Sequence, residues 1–192
     1  MSNTVKLECS CSKVKGELKV VQSSSFHVHC LCCDCQSYAA YLGNQDKILD
    51  DSGGSELLQT YPAYMAITEG QEYLACTQFR EKGIYRWHTS CCNMPVANTM
   101  RSASVPFIGV SVKLMQFSSE KEKLETLGPV LMKAFAKYAI GIVPEDAHLR
   151  FPLSFMPRII WFMLKGLLGK KHTPSPFFKG KRASVEVVKA FD

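Results

Sequence analysis

The residues with the clearest chemistry lie in the stretch HCLCCDC at residues 29–35, which holds four cysteines and one histidine. Such thiols can pair as disulfides, pack as apolar side chains, act as nucleophiles or bind metal. Cys30, Cys32 and Cys35 form a C-x-C-x-x-C frame. Three thiolates leave one tetrahedral position for water or a substrate sulfur, as in a working zinc site. We therefore predict that these three cysteines bind metal and form the catalytic site.

A second metal site is predicted from two other cysteine motifs. Cys9 and Cys11 form C-x-C, and alternate residues of a strand share a face, so both thiolates can reach one ion. Two ligands do not complete a tetrahedral zinc site. His88 and Cys91 have the two-residue gap of a zinc knuckle and are predicted to complete a closed structural Cys3His site. Cys92 is the alternative fourth ligand that the sequence leaves open.

The cysteine count favours metal over disulfides. The chain has nine cysteines in 192 residues, an odd number, and eight of them fall in three tight clusters. The N-terminal stretch has no apolar segment of the kind that directs export, so we expect a cytoplasmic protein with reduced thiols. An iron–sulfur cluster remains the alternative cofactor, although no iron–sulfur spacing is reproduced. Cys76 is predicted to be a core residue, and His27 and His29 to face solvent or make structural hydrogen bonds.

The order of local patterns predicts strands first and helices later. KVKGELKV at 13–20 alternates strictly, which is typical of a half-buried strand, and similar short patterns recur up to residue 117. EKEKLETL is predicted to be helical, and Pro129 to open a second helix. A strongly apolar helix is predicted from Pro157. We expect a zinc-binding β domain at residues 1–117 and a helical extension, packed on it, at residues 118–192.

Charge is distributed unevenly along the chain. The net charge is +6, yet residues 150–192 contain nine lysines and arginines against two acids. That excess suits an anionic partner, a membrane surface or simple solubility. No motif that reads a nucleic-acid groove is present, so no nucleic-acid partner is predicted. The helix from Pro157 is too short and too charged to cross a bilayer, and we expect it to pack on its own protein; a membrane surface or a dimer interface is left open.

The three cysteine motifs, taken together, resemble those of the glutathione-dependent formaldehyde-activating (GFA) family, which includes centromere protein V. The matching stretches are CSCS at 9–12, CLCCDC at 30–35 and WHTSCC at 87–92, with GELKV, AITEGQEYL and IYRW similar to the family's strands. The resemblance implies an Mss4-like fold, a twisted and mostly antiparallel β scaffold. It also implies a structural zinc on Cys9, Cys11 and Cys91, where His88 replaces a family cysteine. A second, more exposed zinc would lie on the middle motif.

The fold expected is therefore mainly β with a C-terminal α-helical extension. The family resemblance implies carbon–sulfur lyase chemistry, namely the condensation of formaldehyde with glutathione to S-hydroxymethylglutathione. We predict an enzyme that acts on a small thiol adduct of the glutathione type at the three-cysteine zinc site. Two alternatives stay open: a non-catalytic zinc-stabilised binding module that uses the extension and basic tail, and a thiol redox or metal-responsive protein with Cys33 as its resolving thiol. A homo-oligomer is possible.

Overall fold

A computed structural model describes residues 2–190 of the chain as a mainly β structure with a helical extension, which confirms the predicted fold class. Thirteen strands, four α-helices and six short 3₁₀ helices are assigned within these residues, and the strands and α-helices are numbered here. In chain order they are β1 Ser2–Glu8, β2 Lys15–Val21, β3 Phe26–Cys30, α1 Cys33–Tyr41, α2 Gln45–Ile48, β4 Ser55–Thr60, β5 Met65–Glu69, β6 Leu74–Gln78, β7 Tyr85–Thr89, β8 Pro95–Thr99, β9 Ile108–Ser111, α3 Glu120–Leu127, β10 Val130–Ala134, α4 Met156–Leu168, β11 Phe178–Lys179, β12 Arg182–Ala183 and β13 Val187–Lys189.

The smaller of the two principal sheets has three antiparallel strands in the order β1-β2-β5. The alternation predicted from the sequence is confirmed in β2, where Gly16, Leu18 and Val20 are buried and Glu17 and Lys19 are exposed. Because successive side chains of a strand point to opposite faces, the buried set forms one apolar surface. That surface covers one face of the larger sheet.

The larger sheet has eight strands in the order β10-β3-β4-β9-β8-β7-β6-β13. Its two edge strands come from the chain after residue 117 and pair in parallel, β10 with β3 and β13 with β6. The prediction of a helix from Pro129 is therefore wrong, since residues 130–134 form β10. Pairing with the edge of β3 outweighs the local helical pattern, a common result of tertiary context.

The main core lies between these two sheets. Leu7, Leu18 and Val20 from the smaller sheet meet Trp87 and Ile108 from the larger one, all of them almost fully buried. Cys76 belongs to the same core and has no exposed surface, which confirms its predicted role. Trp87 also packs against Phe177, with ring centroids 4.9 Å apart, so the C-terminal segment closes this core.

Helix α4 packs on a second apolar cluster beside β3. The Phe162 ring stacks on Tyr61 at 4.3 Å between centroids, and the Tyr61 hydroxyl donates a hydrogen bond to the Phe162 carbonyl oxygen at 2.7 Å. Gly166 permits this approach, because a Cβ there would lie 2.6 Å from the Tyr61 ring and 2.8 Å from Pro106. The predicted packing of this helix on its own protein holds for one face only, since its other apolar side chains are exposed.

Two buried histidines of β3 are held by acids, in line with their predicted structural role. His29 Nε2 lies 2.6 Å from Asp50 Oδ2. Gly54 leaves room for the ring of His29, with which any Cβ would collide. His27 Nε2 lies 3.2 Å from Glu56 Oε2, and Lys123 Nζ lies 2.8 Å from the same oxygen. Glu56 thus joins β3 and β4 to α3.

Substitution of Glu56 should weaken the fold in a pH-dependent way. The hydrogen bond from His27 and the charge of Lys123 lower the pKa of Glu56 from 4.5 to about 2, against the opposing effect of burial. A depressed carboxyl pKa stabilises the fold fully above pH 4.5, and that contribution is lost as the pH falls from 4.5 to about 2. Glu56→Gln should therefore lower the free energy of unfolding at pH 7 by about 1–2 kcal/mol after screening.

The measurement is chemical unfolding of both proteins from pH 7 down to pH 2. The difference between them should shrink in acid. Glu120→Gln is the matched control, because Glu120 also contacts Lys123 but its side chain is 90% exposed. A deficit in Glu56→Gln that stays constant across this range would contradict the assigned pKa shift.

Candidate metal centres

Four cysteines from two turns meet at one point between the sheets. The Sγ atoms of Cys9, Cys11, Cys91 and Cys92 all lie within 4.8 Å of one another. Neighbouring pairs are 3.6 Å apart for Cys9–Cys11, 3.3 Å for Cys11–Cys91 and 3.8 Å for Cys91–Cys92. Thiolates bound tetrahedrally at zinc distances lie about 3.8 Å from each other. The four sulfurs therefore fit a four-thiolate metal site, which we call the cross-sheet site.

Two similar turns position these thiols. The first joins β1 to β2 and the second joins β7 to β8, and each contains one residue with positive φ, Ser12 at 59° and Asn93 at 53°. The Val14 N–H donates to Cys9 Sγ at 3.2 Å, and the Thr89 hydroxyl lies 3.3 Å from Cys92 Sγ. Contacts of this kind orient ligand sulfurs and favour their thiolate form.

The protonation of the cross-sheet thiols is unequal. Burial is the main reason that the pKa of Cys91 rises to about 12. Burial also acts on Cys92, but hydrogen bonds from Ser10 and Thr89 lower its pKa to about 6. Cys92 is thus more readily a thiolate at neutral pH than Cys91, and a cation that binds here would displace protons from thiols that are still protonated.

His88 does not join this group, and Cys92 takes the fourth position that the sequence analysis assigned to His88. Residues 85–89 are all part of β7, so their side chains alternate between the two faces of the sheet. Trp87 faces the core between the sheets, whereas the His88 ring packs edge-on against Tyr38 and Tyr41 of α1 at 6.1 and 6.0 Å. The two-residue gap to Cys91 suggested a knuckle because the sequence does not show where β7 ends.

The middle motif brings Cys30, Cys32 and Cys35 together, again within 4.8 Å. Cys30 ends β3, Cys32 precedes α1 as its N-cap residue, and Cys35 lies in the first turn of that helix. The positive end of the helix dipole favours thiolates at this position. The structure thus places together all three residues predicted for this site, with Cys35 buried and the other two partly exposed. We call it the open site.

A buried arginine stands beside the open site. Arg86 is 3% exposed, and its Nη1 lies 3.8 Å from Cys35 Sγ and 3.4 Å from Asn98 Oδ1. Neither partner is a carboxylate, so a thiolate at Cys35 would balance the guanidinium. Hydrogen bonds from Cys30 and Cys32, with the charge of Arg86, hold the pKa of Cys35 well below its usual value. A cluster of thiolates with a bound cation would meet the same need.

Cys33 stays outside both groups. It is the first residue of α1, and its Sγ lies 3.7 Å from Asp34 Oδ1 and 3.9 Å from Arg80 Nη2. Asp34 pairs with Arg80 at 2.6 Å, so this carboxylate is engaged rather than available as a general base. Cys33, the resolving thiol of the redox alternative, is thus a partly exposed thiol next to an ion pair.

The open site forms one wall of a cavity of about 560 Å³. That volume lies within the range of small-molecule binding pockets. Cys30, Cys32 and Cys35 all line it, together with Arg86 and a largely apolar and aromatic set that includes residues on both sides of position 117. A metal held by the three thiols would therefore border a space large enough for a ligand.

Sequence reasoning missed Arg86 and the cavity walls supplied by the extension. Arg86 lies between Tyr85 and Trp87 in the stretch YRWH. Its residue type gave no indication of a buried site, because most arginines are on the protein surface. The one sign in the sequence was its place in IYRW, a stretch that resembles a strand of the formaldehyde-activating family.

The assignment of the cross-sheet ligands can be tested with a matched pair of substitutions. Cys92→Ala should remove the metal of the cross-sheet site and lower the melting temperature by 10 °C or more, on the order of 3 kcal/mol, because a structural metal contributes directly to folding. His88→Ala should keep that metal. The check is metal content per chain and thermal unfolding with and without chelator. Metal loss in His88→Ala with retention in Cys92→Ala would contradict the assignment.

Comparison with known proteins assigns the chain to a family but indicates no activity. No curated protein matches it. A crystal structure of a Rhodobacter sphaeroides protein, a structural-genomics target, is 18% identical, with a TM-score of 0.46 over 65% of this chain and 96% of that one. None of these comparisons links the chain to the formaldehyde-activating family that it resembles. A family model matches residues 1–188, and the chain belongs to that family, DUF6151, a family of unknown function.

Proposed function

We propose that this chain is a zinc protein with one structural and one working metal centre. The cross-sheet site, with four thiols from two turns, suits a closed structural zinc, and the open site, with three, suits a zinc that keeps one position for a ligand. Soft thiolate ligands favour zinc over magnesium, calcium or manganese. The observation that carries the proposal is that all three open-site thiols border the large cavity.

The proposed reaction is carbon–sulfur cleavage or formation in a thiol–aldehyde adduct, the chemistry implied by the resemblance to the formaldehyde-activating family. When bound, zinc supplies a Lewis-acidic position that holds the substrate sulfur as thiolate. In the cleavage direction the C–S bond breaks with its electron pair on sulfur, the carbon that bears the hydroxyl becomes an aldehyde, and the hydroxyl proton leaves. No oxidant or reductant is required.

The chain's own residues supply the electrostatics for this step. Arg86 lies 3.8 Å from Cys35 Sγ and offsets the negative charge of three thiolates in a region of low dielectric constant. Asp34 is held by Arg80, so proton release would proceed to solvent through the open side of the cavity rather than to a buried base. Glutathione is the small thiol that the sequence resemblance suggests, and a cytoplasmic location would provide it in reduced form.

We also propose that the chain divides into two parts at residue 117. In this division, residues 1–117 carry both metal centres, and residues 118–192 supply cavity walls and the two edge strands of the larger sheet. The alternatives of a binding module and a redox-responsive thiol protein predict an open site without metal.

Metal counting separates these functions. Wild-type protein purified without chelator should hold two zinc ions per chain, and Cys32→Ser should hold one, with the cross-sheet zinc retained. In the cobalt-substituted protein, millimolar glutathione should change the visible spectrum of the open site alone. One zinc in the wild type, with reactive middle thiols, would contradict the proposal and favour the redox alternative. Cys33→Ser is the control, because Cys33 lies outside both groups.

A further inference from the structure

We propose that the open site binds an amphiphilic thiol or its aldehyde adduct more tightly than a small polar thiol such as glutathione. The sulfur of the amphiphilic ligand would lie at the three cysteines, a large apolar body would fill the cavity, and an acidic group would lie at the cavity mouth. This inference rests on the proposed function and names its substrate class.

The cavity walls are apolar on two sides. Phe26, Val28, Leu57 and Phe107 come from the β scaffold. The extension adds an opposing wall, formed by Met132, Phe135, Phe151, Ile159 and Phe162. A polar ligand would lose its hydration among these side chains without gaining hydrogen bonds, whereas each buried methylene of an apolar ligand contributes about 0.8 kcal/mol.

Gln59 contributes to the cavity a polar atom that has no hydrogen-bond partner within the described part of the chain. Gln59 is 9% exposed and lines the cavity, and its Oε1 accepts no hydrogen bond from any of residues 2–190. A buried acceptor without a donor costs free energy until a ligand supplies one. The hydroxyl of a thiol–aldehyde adduct, on the carbon next to sulfur, is a donor of the required kind.

The cavity mouth is basic. Arg80 and Lys82 line the cavity and are exposed, and a second pocket of about 510 Å³ that shares Cys32 and Arg80 with it is also bordered by Lys137 and Arg150. Asp34, the acid at this rim, is already paired with Arg80. The surplus of positive charge favours an acidic group on the ligand.

Phe135, on the wall formed by the extension, has an unusual backbone conformation. It holds a left-handed backbone with φ 68° and ψ 32°, which a bulky residue rarely adopts, and such strain collects at binding sites. The preceding residue, Ala134, pairs with Cys30 across β10 and β3, and its carbonyl accepts a hydrogen bond from the Leu31 N–H at 3.0 Å. These contacts hold the backbone next to Phe135, whose side chain lines the cavity.

The test compares three probes on the cobalt-substituted protein: mercaptoundecanoate, mercaptopropionate and undecanoate. Mercaptoundecanoate should bind at least tenfold more tightly than mercaptopropionate, and both thiols should alter the cobalt spectrum. Undecanoate, which lacks sulfur, should bind weakly and leave the spectrum unchanged. Equal affinity for the two thiols would overturn the apolar class while the proposed metal function stands. Failure of both thiols to alter the spectrum would instead overturn the proposed function, and this inference with it.

Substitutions separate the apolar wall from general damage. Phe135→Gly accepts the left-handed backbone without strain and should bind mercaptoundecanoate at least fivefold more weakly, at unchanged metal content. Leu131→Ala, on the exposed side of β10 and away from the cavity, is the control and should bind it as the wild type does. Equal affinity in Phe135→Gly and wild type would overturn the assignment of this wall.

A second inference rests on α4 alone. Its apolar residues form two faces: Ile159, Phe162 and Met163 pack inward, whereas Ile160, Trp161, Leu164, Leu167 and Leu168 are 47–85% exposed. No helix within residues 2–190 is long and apolar enough to cross a membrane. We propose that the outer face of α4 lies on an anionic membrane surface.

The positive charge around the outer face of α4 favours an anionic membrane over a second copy of the chain. Arg158 and Lys165 flank the outer face, and Lys170 and Lys171 follow the helix end. Lys165 Nζ lies 5.4 Å from the centre of the Trp161 ring, so apolar ring and cation lie side by side as in interfacial helices. A twofold contact between two copies would bring these like charges together, whereas anionic lipid headgroups would neutralise them.

Trp161 is a built-in probe for this contact. The other tryptophan, Trp87, has no exposed surface, whereas Trp161 is 60% exposed. Vesicles of mixed phosphatidylcholine and phosphatidylglycerol should shift the emission to shorter wavelength and co-sediment with the protein, and high salt should reverse both effects. Leu164→Gln should weaken binding at least fivefold, and Leu124→Gln on exposed α3 should not. No shift, an equal response to neutral vesicles, or a dimer held by this face without lipid would overturn the proposal.

Discussion

The meeting of two turns at the cross-sheet site is the constraint on which the rest of the structure depends. The turn between β1 and β2 belongs to the smaller sheet, and the turn between β7 and β8 belongs to the larger one. The four sulfurs lie within 4.8 Å of one another where these turns meet, close enough for one metal ion to bind all four. A metal held there would fix the distance and angle between the sheets, and so the main core between them.

The open site depends on a different junction. Cys30 ends β3, where the chain turns directly into α1, and β10 runs beside β3 with Ala134 opposite Cys30. The extension therefore adds an edge strand to the sheet next to the cysteines of the open site, and does not only pack on its surface. Its strand, its strained Phe135 and its helix α4 supply the apolar half of the cavity. This explains in physical terms why the chain is longer than the region that carries the cysteine motifs.

Sequence patterns predicted the features that depend on local spacing. Strict alternation identified β2, and the isolated Cys76 was correctly placed in the core. The cysteine spacings pointed to Cys30, Cys32 and Cys35 as one group and to Cys9, Cys11 and Cys91 as part of another. Features set by long-range pairing escaped prediction. The stretch after Pro129 has helical spacing but forms a strand, because it pairs with the edge of β3. Cys92 rather than His88 joins the cross-sheet site, because His88 still belongs to β7. Neither edge strands nor strand ends are encoded in a short window.

Helix α4 links the two proposed surfaces. Ile159 and Phe162 on its inner face line the cavity, while Trp161 and Leu164 on its outer face meet solvent. The width of one helix thus separates the apolar cavity from an exposed surface that is apolar and basic. The apolar body of an amphiphilic ligand would partition into a bilayer and so be concentrated beside helix α4, whose inner face lines the cavity. The chemistry of the cavity and the chemistry of the exposed face therefore point to the same class of molecule, although they rest on different residues.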